Sequence, residues 1–286
     1  MEAEVYPYGA DAVLKLFPGT ASLADQITLK HFYDSLDRSQ VPFALPRILT
    51  ITPEESVVVT TEQRLPGTRL SALLPGLSVG ALEAWMQRSL TAALALNRFQ
   101  SPANLDRYKL FDPAGLSRRT DGDWHQFLAR LLTHKLQQVA PFLERDVPHF
   151  GRKLDQLRAI LAQPYAGDYH LIHGDYFPGN LLVNAVHQIN AVLDFGLLTM
   201  WGDPLFDTAT GWVFFDMYDE LQANARERYL AIILERLGES VRGRLYRYVL
   251  LYSILGANTY SPTCADGHHL WCVANLNRDH YWAGVE

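Results

Sequence analysis

The sequence predicts an α+β protein of two unequal parts, a small β-rich one at the N-terminus and a larger helical one. Three observations carry this. Up to about residue 62 apolar residues come in short runs bounded by turn formers; from Pro66-Gly67 onward they recur at helical spacing; and one short β segment, Tyr169 to Asp194, interrupts the helices. A length of 286 residues leaves room for one large domain or two small ones, at about 150 residues each. The change of pattern puts the boundary after residue 64, giving parts 1–64 and 65–286.

In chain order, Ala12-Val13-Leu14-Lys15-Leu16-Phe17 and Ser56-Val57-Val58-Val59-Thr60 are rich in β-branched or bulky residues and read as strands. Between them Ile27, Leu29, Phe32, Tyr33 and Leu36 follow helical spacing over Leu23 to Leu36. Pro42 and Pro46 then break the chain before the second strand. Val79 to Phe99 places Leu82, Trp85, Met86, Leu90, Ala93, Leu94 and Leu96 on one broad face. Asp123 to Leu143, Ala225 to Leu237 and Val241 to Leu255 predict further helices, and Pro102 to Gly122 reads as a long loop.

Composition narrows the function classes. Hydrophobic residues make up 48% and charged residues 20%, as in a globular protein with an ordinary core. A formal net charge of −6 argues against nucleic acid or an anionic membrane as partner and mildly favours a neutral or cationic one. Cys264 and Cys272 are the only cysteines, so no disulfide framework exists and a reducing compartment fits. The opening Met1-Glu2-Ala3-Glu4 lacks the basic flank of a signal peptide, and runs such as Tyr248 to Leu251 fall far short of the roughly 20 residues of a membrane span. The expectation is a cytoplasmic protein without membrane contact.

The chemistry concentrates between His173 and Asp207. Leu181 to Asn184 and Ile189 to Leu193 are apolar runs separated by four residues, a hairpin pattern centred between Val186 and His187. That centre places Asn180 and Asp194 at the same open end, and opposed residues on antiparallel strands lie roughly 5 Å apart. An amide oxygen and a carboxylate at that spacing can share a hard divalent cation. Asp175 lies on the loop entering the same end, across a Pro-Gly turn. Either aspartate alone would be unremarkable, since Asp beside Gly commonly closes a turn. The combination is specific: His173-Gly174-Asp175 with Asn180 five residues on, then Asp194-Phe195-Gly196 fourteen residues after the Asn, and Lys15 on a strand far upstream. Protein kinases carry the same order as H-R-D, Asn, D-F-G and a strand lysine.

With H-G-D in place of H-R-D, and Gly202-Asp203-Pro204-Leu205-Phe206-Asp207 following, the sequence resembles the aminoglycoside phosphotransferase and choline kinase-like family of small-molecule kinases. Val13-Leu14-Lys15-Leu16 and the connector Thr61-Glu62-Gln63-Arg64-Leu65-Pro66-Gly67 extend the resemblance, which runs from about Ala3 to Gly211. It implies a two-lobe protein-kinase-like fold and Mg²⁺-dependent transfer of the γ-phosphate of ATP or GTP to a hydroxyl of a small molecule. It further implies Asp175 as catalytic base and Asn180 and Asp194 as Mg²⁺ ligands. Lys15 would pair with the α/β phosphates, and the backbone of Glu62, Gln63 and Arg64 would meet the adenine edge. His173 and Asp207 would brace the catalytic loop.

The match departs in two places. The family begins with a strand and a glycine-rich loop, whereas Ala3-Glu4-Val5-Tyr6 looks like the second strand, so an abbreviated N-terminal lobe is expected. The helix glutamate that pairs with the strand lysine should fall near Gln26, which carries no charge; a register slip of one would offer Asp25. These departures support a competing reading, a kinase-fold protein that only binds a nucleotide or ligand. Two further clusters each admit two readings. Cys264, His268, His269 and Cys272 could reach one Zn²⁺, but the spacing fits a buried C-terminal turn better. Asp216, Asp219 and Glu220 could attract a cationic acceptor or simply open a solvated helix.

Overall fold

The computed structural model describes residues 3–18, 23–217, 221 and 224–285. Its N-terminal region is a four-stranded antiparallel sheet of β1 (Glu4–Tyr8), β2 (Ala12–Pro18), β3 (Ile48–Pro53) and β4 (Val57–Gln63), in the order β1-β2-β4-β3. Gly9, at φ 66°, makes the turn between the first two strands. Lys15 lies opposite Thr60 in the β2–β4 register. The strand β3 had no clear signature, because its exposed residues outnumber its buried ones and no apolar alternation marks it. Helix α1 (Leu23–Ser35) packs against β3 and buries Gln26, Phe32 and Tyr33.

Among its described residues the helical region contains the four predicted helices and four more that were not predicted. Helix α2 (Val79–Leu96) starts at a Ser78 cap whose hydroxyl accepts from the Ala81 N–H at 3.3 Å. Helix α3 (Trp124–Asp146) opens with a capping box between Asp123 and Gln126 and runs three residues past the predicted end. Then come α4 (Phe150–Leu161), the short strands β6 (His170–Ile172), β7 (Leu181–Val183), β8 (Ile189–Val192) and β9 (Met200–Gly202), and α5 (Leu205–Phe214). The remainder is α6 (Ala225–Leu237), α7 (Arg242–Leu255), α8 (Gly267–Leu276) and α9 (Asp279–Ala283). A two-residue strand β5 (Thr68–Arg69), numbered by its place before α2, pairs with β7 and ties the connector to the hairpin.

Every residue of α5 is buried, which hid it from periodicity: a helix surrounded on all sides has no polar face. It packs on α2, α6 and α7 at the centre of the main core. That core includes Phe32 and Tyr33 of α1, so α1 belongs to the helical mass, while Phe17 and Val58 form a small separate cluster in the sheet. Among the described residues no helix is long and apolar enough to cross a membrane.

Candidate active site

The hairpin forms, with the predicted register at its open end and a shift of one residue between Leu182 and Val183 toward the turn. Leu181 faces Val192 and Leu182 faces Ala191, and the Leu193 N–H donates to the Asn180 carbonyl at 2.8 Å. Asn180 and Asp194 therefore flank the same end. The Asn184 carboxamide oxygen accepts from the Val186 and Gln188 N–H groups and shapes the far turn.

The loop entering this end is held by Asp207 in the first turn of α5. Its two oxygens accept from the His173 N–H at 2.6 Å and the Gly174 N–H at 2.8 Å. Burial pushes the Asp207 carboxyl up to about 6, against the pull of His173 and these two N–H groups. Gly174 has φ 83°, and a Cβ there would collide with the Leu198 carbonyl, so the middle residue of His-Gly-Asp must be glycine. The His173 ring reaches the Leu193 carbonyl at 2.6 Å and lies 4.3 Å from the Phe195 ring. Phe195 in turn packs on Phe32 and Tyr33 of α1. These contacts match the bracing role expected of His173 and Asp207.

Asp175 emerges toward solvent. Its Oδ2 and its backbone carbonyl both accept from the Asn180 amide, at 3.1 and 2.9 Å. The walls around it desolvate the carboxylate and raise its pKa; His173 and Asn180 oppose this and the Asp194 charge adds to it. Asp194 has φ 56°, a left-handed conformation that Asp tolerates better than most residues, and its Oδ1 meets Lys15 Nζ at 3.1 Å. Desolvation would raise the Asp194 pKa, but Lys15 outweighs it and the net shift is down. Burial would lower the Lys15 pKa, and the charges of Asp194 and Glu62 raise it above its usual value. Five predicted residues thus converge across the junction of sheet and hairpin: Lys15, Glu62, Asp175, Asn180 and Asp194.

The structure corrects the expected source of the lysine's partner. Lys15 Nζ meets the Glu62 carboxylate at 3.2 Å, a contact from β4 and not from α1. Gln26 is buried with its Oε1 unpartnered. The alternation Val58, Thr60, Glu62 on the buried face of β4 was the available signal, but it needed the strand register to be read. The connector backbone is engaged in the sheet: the Gln63 N–H donates to the Arg47 carbonyl and the Arg64 N–H to the Asp11 carbonyl, 2.9 and 2.8 Å.

Sequence reasoning weighed His268 only as a metal ligand and did not place it beside Asp175. It stands at the start of α8 near enough to Asp175 for their charges to interact, and its ring stacks on Trp271 with Tyr252 and Tyr260 at its edges. The zinc reading of this segment gains no support: His269 bonds Asp146 at 2.9 Å and the Ala257 carbonyl at 3.2 Å, and both cysteines are buried and free. Asp216 is held by Arg226 through two contacts of 2.6 Å. Asp219 and Glu220 lie outside the described residues.

Among the described residues no group of three or more His, Cys, Asp and Glu could hold a metal by itself. The donor set instead suits Mg²⁺, which binds through one or two carboxylates and completes its shell with water and phosphate oxygens. Asn180 spends its Nδ2 on Asp175, which leaves the amide oxygen for a hard cation beside Asp194.

The sequence matches the phosphotransferase enzyme family APH over residues 4–246. The chain belongs to that family. Solved structures agree on a protein-kinase-like fold. The streptomycin–ATP ternary complex of APH(2″)-IIa shares 13% identity over 95% of this chain and 93% of that one, with a TM-score of 0.55. The GDP complex of wild-type aminoglycoside 2′-phosphotransferase-IIIa shares 15% over 98% and 89%, with a TM-score of 0.58. A protein described as a fructosamine-3-kinase, from Haemophilus somnus 129PT, shares 14% over 97% and 90%, with a TM-score of 0.59. No curated protein matches the sequence.

Proposed function

We propose that this APH-family chain transfers the γ-phosphate of ATP or GTP to a hydroxyl of a small molecule, with residues 1–64 as the nucleotide lobe and residues 65–286 carrying the catalytic loop and acceptor pocket. One observation carries the reading: the Lys15–Asp194 ion pair at 3.1 Å brings the strand lysine to the hairpin end where Asn180 also contacts Asp175. Solved relatives with ATP and with GDP bound support a nucleotide as the donor.

Asp175 is the base. With Oδ2 held by Asn180, Oδ1 takes the proton of the attacking hydroxyl, and the raised carboxylate pKa makes it a better acceptor for that proton. The acceptor oxygen then bonds to the γ-phosphorus, the bond to the bridging oxygen breaks, and the nucleoside diphosphate leaves with the electron pair. Lys15 presents its charge to the α/β phosphates, and the backbone of Glu62, Gln63 and Arg64 borders the base, the Glu62 side chain being turned to Lys15. Asn180 and Asp194 would hold Mg²⁺, whose charge offsets that of the phosphates.

On the acceptor side His268 and Tyr252 lie near enough to Asp175 to interact with its charge and pack with Trp271 as an aromatic group, and Asp216 is already neutralised by Arg226. Aromatic faces bind sugar rings and cations alike, so the acceptor is a compact neutral or cationic molecule. The test is nucleoside diphosphate release from Mg²⁺–ATP and Mg²⁺–GTP across a panel of aminoglycosides, fructosamines and choline. Asp175→Asn should lower turnover about 100- to 10,000-fold while nucleotide affinity persists. Nucleotide binding without transfer to any hydroxyl would favour a binding protein, and no nucleotide binding would overturn the proposal.

A further inference from the structure

The carboxylate that meets Lys15 has an unusual origin. Lys15 faces Thr60 across the β2–β4 ladder, and Glu62, two residues further along β4, shares that face diagonally. Its Oε2 lies 3.2 Å from Lys15 Nζ, its Oε1 accepts from the Thr60 hydroxyl at 3.2 Å, and the residue is only 4% exposed. A carboxylate so enclosed is costly unless a charge answers it, and Lys15 is the cation within reach. On α1, where the family resemblance puts a glutamate, Gln26 is 1% exposed and its carbonyl oxygen has no hydrogen-bond partner. Gln26 therefore offers the lysine no charge, and the sheet does.

We propose that Glu62 is the positioning residue that aims the Lys15 ammonium at the nucleotide phosphates, in place of a carboxylate on α1. The inference rests on the nucleotide-site reading above. Lys15 is shared between Glu62 and Asp194. Any demand on Asp194 from a cation weakens its hold on the lysine, and Glu62 is the carboxylate that remains. A lysine gripped by a neighbouring strand is fixed by the sheet's own hydrogen bonds. Its placement then does not depend on how closely α1 is docked, unlike a lysine paired to a helix.

The test measures affinities for ATP, ADP and adenosine in the full chain by calorimetry, for wild type, Glu62→Gln, Lys15→Ala and the double variant, with Glu62→Met as a second, shape-filling replacement should Glu62→Gln fold poorly. Loss of an aimed charge-assisted contact should weaken ATP and ADP about tenfold and leave adenosine within about twofold. In the Lys15→Ala background the Glu62 change should add nothing. Equal weakening of adenosine and ATP would mark a merely structural carboxylate, and full additivity with Lys15→Ala, or no effect, would equally overturn the proposal. Wild type that binds neither ATP nor adenosine would overturn the phosphotransferase reading and this inference together; every other failure strikes this inference alone.

Discussion

Asp207 places a carboxyl of raised pKa, about 6, beneath the catalytic loop, where burial outweighs two backbone donors. A group whose pKa rises on folding favours the folded state most below its unfolded pKa, near 3.8, and loses that contribution as pH climbs through 6. Chemical denaturation should therefore show a stability decline on the order of 3 kcal/mol from this group between pH 4 and pH 7. The decline should be absent from Asp207→Asn, measured alongside. Gly174→Ala should destabilise by at least about 1–3 kcal/mol, since it combines a positive φ with a collision at the Leu198 carbonyl. At this scale the sequence was informative where spacing alone defines a site. Asp175, Asn180 and Asp194 could be placed because a hairpin carries its own ruler. Glu62 could be named, but its side-chain contact depended on a pairing between strands more than forty residues apart in the chain.

Helices α5, α6, α8 and α9 meet around one guanidinium. Arg226, 6% exposed, bonds Asp216 twice at 2.6 Å, Asn275 Oδ1 at 2.7 Å and the Tyr281 hydroxyl at 3.3 Å; its carbonyl accepts from Trp212 Nε1 at 2.8 Å. Arg226→Ala leaves Asp216 without its counter-charge and should cost about 3–5 kcal/mol in urea unfolding. The paired replacement of both residues by apolar ones of similar volume should cost less than the single change. Amphipathic elements such as α2, α3 and α6 were legible because one face is polar. The strand β3 and helix α5 were not, one being largely exposed and the other wholly buried, so neither leaves a periodic trace.

Across the whole molecule, apolar packing is lopsided. The main core runs from Phe32 to Val285, while the sheet's separate cluster rests on Phe17 and Val58. Local opening should follow that division. In hydrogen exchange, amides of β1 and β2 should exchange faster than those of α5 and α7, and Mg²⁺–ATP should slow the β2 amides selectively. Ligand present at a hundredfold excess over Kd adds about 2.7 kcal/mol to the folded state, which a melting curve resolves. Asp194→Ala should abolish the Mg²⁺-dependent part of that gain. The α+β division itself was visible in the change of apolar spacing after residue 62, but the allegiance of α1 to the helical core was not, because amphipathicity shows that a face is buried and not against what.

The hairpin has a genetic corollary. Asn180 and Asp194 are spaced by strand register at the open end, and the turn that closes the ladder, Asn184 to Gln188, lies at the other. Codons inserted in that turn lengthen a loop and leave the two oxygen donors in place. A single codon gained or lost between Asn180 and Val183 turns every following side chain of the strand to the opposite face. Tolerance to small insertions should switch within the space of a few nucleotides, and a library of in-frame insertions would trace that edge.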